Sequence, residues 1–376
     1  MNISDYKQCA NCGACYNICP NGAISVNEDG LFYTPTVDPE LCVDCSLCAR
    51  VCPVNQEING YEPIYACGGW NKNKGIVLNS SSGGVFYGIA SRIISNGGVV
   101  FAAVYSKDFK MVEFASSDEM PLERMLKSKY VESLVGLSFR RIKEALENGR
   151  KVLFCGTPCQ AAGLHGYLGK TYENLIVCDF ACGGLPSHKI FKEHLREIEN
   201  KYHSAVKGVD FRPKTYGWKW HALKIELENG KEYLRFGAEE PYFKSFLFGK
   251  RTVREYCMDC KFPECHLSDI SIADFWLNEK LSSLKNEDGI SLVLCNTPKG
   301  KQIIDDICDQ YTFSELETKE AAYNNVIWTS EEWKENRIVF LRHFEEKGLK
   351  FAYRKAFPRS LKQTLKYWVI KRIYRK

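Results

Sequence analysis

Cys9-Ala10-Asn11-Cys12-Gly13-Ala14-Cys15-Tyr16-Asn17-Ile18-Cys19-Pro20 returns 33 residues later as Cys42-Val43-Asp44-Cys45-Ser46-Leu47-Cys48-Ala49-Arg50-Val51-Cys52-Pro53. Each copy reads C-x2-C-x2-C-x3-C-P. Three thiolates two residues apart wrap a tight loop around three irons of a cubane, and the fourth, held by the turn at proline, reaches the other cluster. The pattern therefore assigns Cys9, Cys12, Cys15 and Cys52 to one [4Fe-4S] cluster, and Cys42, Cys45, Cys48 and Cys19 to a second. Structural zinc also uses C-x2-C pairs, but needs four ligands and no duplicated pattern of eight cysteines and two prolines.

This is the ligand pattern of a bacterial two-cluster ferredoxin, and residues 1–60 are read as that unit. The whole chain of 376 residues has material for two or three domains. With 45% hydrophobic and 26% charged residues it reads as globular rather than disordered. Met1 to Asp5 lacks the basic and apolar start of a signal peptide, and no apolar run approaches the roughly 18 residues of a membrane span. Eighteen cysteines in that setting imply a reducing cytoplasm and metal ligation rather than disulfides.

The net charge of +5 is unevenly spread. Residues 350–376 hold ten Lys or Arg and no Asp or Glu, which leaves the remainder at −5. Phe351, Tyr353, Phe357, Leu361, Leu365, Trp368, Ile370 and Ile373 run through the same stretch. Such an end suits an anionic membrane surface or an acidic partner; the plainer reading is a docked helix with a solvated cationic face. No recognised nucleic-acid module accompanies it, so no nucleic acid is expected.

Residues 61–345 form the expected main domain, after a linker at Asn59-Gly60-Tyr61-Glu62-Pro63, and residues 346–376 the basic tail. Apolar periodicity predicts a helix over 84–95, a strand over Val99–Tyr105, a helix near 138–148, strands at Lys151–Cys155 and Leu175–Phe180, and a helix over Pro186–Tyr202. The alternation points to an α/β core with parallel strands. Beyond it, Asn229-Gly230 between two apolar runs predicts a type I′ hairpin, strands follow at Asp269–Ala273 and Ile290–Leu294, and Thr329–Glu332 is a capping box for a helix to about Glu346. The fold class is mixed α+β and α/β: a small dicluster unit, then a mixed β-sheet domain with flanking helices.

Ser80-Ser81-Ser82-Gly83-Gly84 opens the helix at 84–95. Glycines allow close backbone approach and a helix N-terminus favours anions, so the loop is a weak pyrophosphate candidate. The chain has neither G-x-G-x-x-G nor a Walker loop. Seven further cysteines lie at Cys155, Cys159, Cys178, Cys182, Cys257, Cys260 and Cys265. Cys257 and Cys260 have metal-type spacing, while Cys159 and Cys182 sit where predicted strands end, positions that converge on one edge of a parallel sheet. Cys67, Cys295 and Cys308 are read as buried apolar thiols.

Taken with Ser80–Gly84, the runs Ser128-Lys129-Tyr130-Val131-Glu132-Ser133, Gly156-Thr157-Pro158-Cys159-Gln160, Cys182–Ser187, Cys257–Phe262, Ser268-Asp269-Ile270 and Ala273–Trp276 resemble the beta-subunit family of coenzyme F420 hydrogenases and dehydrogenases, in the branch with an N-terminal dicluster ferredoxin. The resemblance covers roughly residues 1–320. It implies a ferredoxin-linked, flavin-dependent oxidoreductase that relays electrons between a ferredoxin or other redox protein and an organic acceptor or donor. It implies FAD held by Ser82, Gly83, Gly84, Ser128, Lys129, Tyr130, Ser133, Gly156, Thr157, Pro158 and Gln160, with Lys129 at the reduced ring. It implies a third [4Fe-4S] cluster on Cys159, Cys182, Cys257 and Cys260, with Cys155, Cys178 and Cys265 around it. The alternative is a non-catalytic electron-transfer subunit, and bacterial relatives are associated with polysaccharide biosynthesis. Where the family often has His after the cysteine at position 182, this chain has Gly183; His188 and His221 are the candidate substitutes. Phe211–Lys214 and Tyr216–Lys219 are candidates for a basic, aromatic acceptor pocket, and a hairpin packing surface explains their aromatics equally well.

Overall fold

The repeat in the sequence is a repeat in the backbone. Asn11 and Asp44, at the same place in the two copies, both take left-handed angles (φ 51 and 52), as do Gly13 and Ser46 (φ 86 and 60). These turns reverse the chain between consecutive ligand positions. Each copy then enters a short helix, Ala14–Ile18 and Leu47–Arg50. Cys19 and Cys52 are extended just before their prolines, as a residue preceding proline must be. Strands β1 (Ile24–Asn27) and β2 (Thr34–Val37) pair antiparallel between the copies.

This computed structural model describes residues 8–262, 266–276, 284–323, 331–358 and 360–374. Their remaining strands are β3 (Tyr65–Asn71), β4 (Val99–Tyr105), β5 (Val112–Ser116), β6 (Val152–Cys155), β7 (Leu175–Phe180), β8 (Val206–Asp210), β9 (Ala222–Leu227), β10 (Glu232–Phe236), β11 (Ile270–Asp274), β12 (Ser291–Cys295) and β13 (Tyr311–Leu316). Eight of these form one mixed sheet in the order β13-β3-β12-β11-β7-β6-β4-β5. Neighbours β11, β7, β6 and β4 are parallel, and the other pairs antiparallel. Helices Val85–Ser95, Ser138–Glu147, Pro158–Leu168 and His188–Tyr202 flank it. The expected mixed sheet with flanking helices is the one observed.

β8, β9 and β10 form a separate antiparallel sheet. Its β9–β10 turn corrects the expected type I′. Gly230 is left-handed (φ 80) but Asn229 is not, the Gly230 amide donates to the Leu227 carbonyl, and Leu227 donates to Lys231. This is a type I turn closed by a glycine bulge, which needs only one left-handed residue. The capping box expected at Thr329 and Ser330 lies outside the described residues. Its helix, Glu331–Ala356, breaks at Lys347–Gly348.

The dicluster unit shares a core with the main sheet. Cys12, Ala14, Tyr16, Ile24 and Cys48 pack in one apolar cluster with Phe139, Phe154, Ala161 and Leu164. Gly163 and Gly166 make the approach possible. A Cβ on Gly163 would stand 2.9 Å from the Cys12 Cβ, and one on Gly166 2.6 Å from the Val51 carbonyl.

Candidate functional site

Four parallel strands present their carboxyl ends to the same edge of the sheet, where ligand sites of open α/β sheets lie. β6 ends at Cys155 and passes through Gly156 into the helix Pro158–Leu168. Thr157 and Gln160 cap that helix reciprocally, which fixes Cys159 in its first turn. β7 ends at Phe180, two residues before Cys182. The turn Glu255–Asp259 brings Cys257, and Cys260 follows it. Cys159, Cys182, Cys257 and Cys260 line a single pocket with Ala10, Lys250, Tyr256, Phe262 and His266.

Burial pushes the Cys159 thiol well above its usual range, with the nearby Cys182 adding to it, and pushes Cys257 up to about 12. Backbone amides of Gly184 and Leu185 donate to the sulfurs of Cys182 and Cys257, both at 3.4 Å. The dicluster loops show the same chemistry: Asn11 donates to Cys9 at 3.3 Å and Asp44 to Cys42 at 3.4 Å.

Cys9, Cys12, Cys15 and Cys52 line a second pocket, together with Cys48. Cys48 in turn feels the charges of Cys45 and Cys19. Cys45 is exposed, whereas Cys9 and Cys12 are buried. The two pockets adjoin at Ala10, which lines the first and also the second, and whose carbonyl lies 3.5 Å from the Cys159 sulfur. Among the described residues, no three His, Cys, Asp or Glu side chains are grouped closely enough to share one metal ion.

Cys155 and Cys178 do not line the four-cysteine pocket; they face each other in register on β6 and β7 and share a side-chain hydrogen bond. Cys265 lies outside the described residues. Cys67 and Cys295 are buried as expected, but Cys308 is exposed at a turn, which corrects its reading as a buried thiol.

A larger cavity of about 570 Å³ opens at the carboxyl end of β4, lined by Tyr87, Tyr105, Phe109, Arg124, Lys127, Ser128, Lys129 and Asp210 among others. Of the residues expected around FAD, Ser128 and Lys129 line it and Pro158 lines the cysteine pocket. Ser82, Gly83 and Gly84 turn to the sheet instead. Ser82 Oγ donates to the Ile290 carbonyl, the Gly83 amide donates to Ser291 Oγ, and Gly84 accepts from the Tyr311 hydroxyl. A Cβ on Gly83 would meet the Gly69 carbonyl at 2.2 Å. The close backbone approach there is strand against loop, so a branched residue at Gly83 breaks packing whatever is bound. Tyr130 belongs to an aromatic cluster with Phe211, Phe243 and Phe246. Ser133 accepts from Gln160 at 3.0 Å, and its carbonyl accepts from Asn11 at 3.1 Å. Ser81 and Ser128 hydroxyls lie 2.9 Å apart. The three segments are thus sewn together by hydrogen bonds rather than arranged around one cavity.

Lys129 donates to the carbonyls of Leu126 and Lys127, and burial lowers its ammonium to about 7. Its flank remains open to the cavity, so the shielding is incomplete. Arg212 makes a two-pronged pair with Asp274 at 2.6 and 3.2 Å and donates to the Ser81 carbonyl. Trp218 donates to Asp274 and stacks on Trp276. Lys214 donates to the carbonyls of Val77 and Ser82. These cations brace the serine loop, and Asp274 neutralises Arg212, in place of the expected open basic acceptor pocket.

Two groups escaped the sequence reading. Buried Glu132 ties Arg254 (3.2 Å) to His188 (2.7 Å), while Arg254 donates to the carbonyls of Cys9 and Tyr33. This network joins three distant segments, and no local spacing announces it. His188 is thereby spent on structure: its other ring nitrogen meets the Glu28 carbonyl at 3.0 Å. His221 is half-buried against Phe243 and Trp276, and its pKa falls to about 3 through loss of solvation and the Arg212 charge. His266, held by the Asp179 carboxylate at 2.8 Å, is the histidine that lines the four-cysteine pocket.

Comparison with known proteins follows these divisions. Residues 149–321 match the family described as the C terminus of the coenzyme F420 hydrogenase/dehydrogenase beta subunit, and residues 8–56 match the 4Fe-4S dicluster domain. The chain is 24% identical over 324 residues to the coenzyme F420-dependent sulfite reductase of Methanocaldococcus jannaschii, covering 80% of this chain and 46% of that protein. It therefore spans less than half the length of that relative. A solved structure of the F420-reducing [NiFe] hydrogenase complex from Methanosarcina barkeri is 16% identical, with a TM-score of 0.47, over 78% of this chain and 98% of that one. The protein is an iron–sulfur protein whose residues 8–56 match the 4Fe-4S dicluster domain and whose residues 149–321 are similar to the C terminus of the coenzyme F420 hydrogenase/dehydrogenase beta subunit.

Proposed function

We propose that this chain is a flavin-dependent oxidoreductase that relays single electrons through three [4Fe-4S] clusters to a two-electron carrier, and so connects a ferredoxin-type partner to an organic substrate. The observation that carries the reading is the shared wall at Ala10: the Cys9 loop and the Cys159 pocket meet there. Cys9, Cys12, Cys15 and Cys52 would hold one cluster, Cys42, Cys45, Cys48 and Cys19 a second, and Cys159, Cys182, Cys257 and Cys260 a third. Four thiolates on four different irons stand farther apart than four on one zinc. Exposed Cys45 puts the second set where a soluble partner can reach it.

The cavity beside Lys129 has the volume of a cofactor site. FAD, bound there, would supply the exchange between single electrons and a hydride. Tyr87, Tyr105 and Phe109 would give the ring system apolar walls, and the Ser81–Ser128 pair would anchor the loop above it. Lys129 Nζ would gain or lose a proton near neutrality and so match a charge on the ring.

A second reading seats the deazaflavin named in the relatives directly in this cavity, in an electron-transfer subunit without a substrate of its own. The family model and the curated relative, both named for coenzyme F420, favour it. Anaerobic purification with flavin quantitation separates the two. Stoichiometric FAD, lost in Lys129→Glu while iron is kept, supports the first reading. Flavin-free protein that binds coenzyme F420 stoichiometrically supports the second.

A further inference from the structure

The helix Leu361–Tyr374 has two different faces. One is docked. Tyr367 packs on Phe236 at 5.5 Å, Ile370 is buried in a cluster with Tyr216, Ala222 and Phe236, and Lys371 pairs with Glu239 at 2.5 Å. The opposite face carries Leu365, Trp368, Val369 and Ile373, which are 63%, 49%, 40% and 67% exposed. At 100° per residue these four fall in one arc, with Arg372 inside it and Lys366 at its edge, across from Tyr367 and Ile370. A helix already anchored by one face has no need of an apolar stripe on the other for its own fold.

The surroundings of the stripe are cationic. Lys366 and Arg372 are exposed beside it, with Arg372 over the Trp368 ring at 4.2 Å, and Arg354 and Lys355 are exposed on the preceding helix. Residues 350–376 hold ten basic residues and no acid, whereas the rest of the chain is net negative. An apolar stripe with tryptophan, interleaved with exposed Lys366 and Arg372, matches a surface that is negative outside and apolar just beneath. No helix among the described residues is long and apolar enough to cross a membrane, so the contact is with the surface.

We infer that the outer face of this helix docks on an anionic phospholipid bilayer, lying in the interface with Leu365, Trp368, Val369 and Ile373 toward the acyl chains and the basic residues among the headgroups. The inference does not rest on the redox reading.

The test is co-sedimentation of the full-length protein with vesicles of phosphatidylcholine alone, or with about one-third phosphatidylglycerol. Binding to the anionic vesicles should exceed binding to the neutral ones about tenfold and weaken with added salt. Leu365→Ser with Trp368→Ser should lower it about tenfold while cluster absorbance is unchanged, because both side chains point away from the body. Equal binding by wild type to both vesicle types, no binding at low salt, or unchanged binding by the double variant would each overturn the inference. So would light scattering that shows the double variant dispersing a dimer while wild type ignores lipid, since the stripe would then join two copies of the chain.

Discussion

Lys129 shows how much of a residue's chemistry is decided by where the chain folds it. Surrounded by Tyr105 and by the carbonyls of its own loop, its ammonium falls from the usual 10.5 to about 7. The native state therefore gives up this proton at a lower pH than the unfolded chain does. Between about pH 7 and 10.5 the unfolded state binds more protons, so stability rises with pH across that window. Lys214, likewise lowered to about 7 by burial and the Arg212 charge, contributes to the same rise. Urea unfolding of Lys129→Met should show the rise reduced by about one proton's share, with the Lys214 share remaining. An unchanged slope would mean that Lys129 is solvated. Glu132 makes the complementary case. With Glu132→Gln, Arg254 stays buried beside the Cys9 carbonyl without its counter-charge, at a cost of about 3 kcal/mol in unfolding free energy. A loss below about 1 kcal/mol would show that the pair adds little.

At the scale of elements, the seam between the helix Pro158–Leu168 and the dicluster unit is the part most exposed to a single substitution. Gly163→Val forces two methyl groups onto Cys12, whose Cβ, sulfur and carbonyl all stand within 3.1 Å of the would-be Cβ. Overpacking of this kind costs about 1–3 kcal/mol. Iron should fall in this variant, and a full iron complement with unchanged unfolding would refute the tight seam. What is legible in the sequence and what is not also divides here. Ligand spacing is local, so the eight N-terminal cysteines are legible, as are strands with unbroken apolar runs such as β4, β6 and β7. β3 is not, because Gly68 and Gly69 make it look like the end of a linker. Those glycines exist because the Phe275 and Phe313 rings lie where side chains would be. Gly83 reads as a ligand cradle for the same reason: a missing side chain shows that something approaches, but not whether it is cofactor or strand.

Across the whole molecule, the four-cysteine pocket and the Lys129 cavity lie at the carboxyl ends of parallel strands, and the dicluster unit adjoins the first at Ala10. The shared core means the unit is not a bead on a linker, so the relay has to be tested in the full chain. The relay depends on the third centre. Anaerobically reconstituted protein should hold about twelve irons, three cubanes of four, and Cys257→Ser with Cys260→Ser should hold about eight. Electron paramagnetic resonance of the reduced variant should lose one [4Fe-4S] signal and keep the other two. Wild type with only eight irons, or a variant that keeps all twelve, would contradict the account.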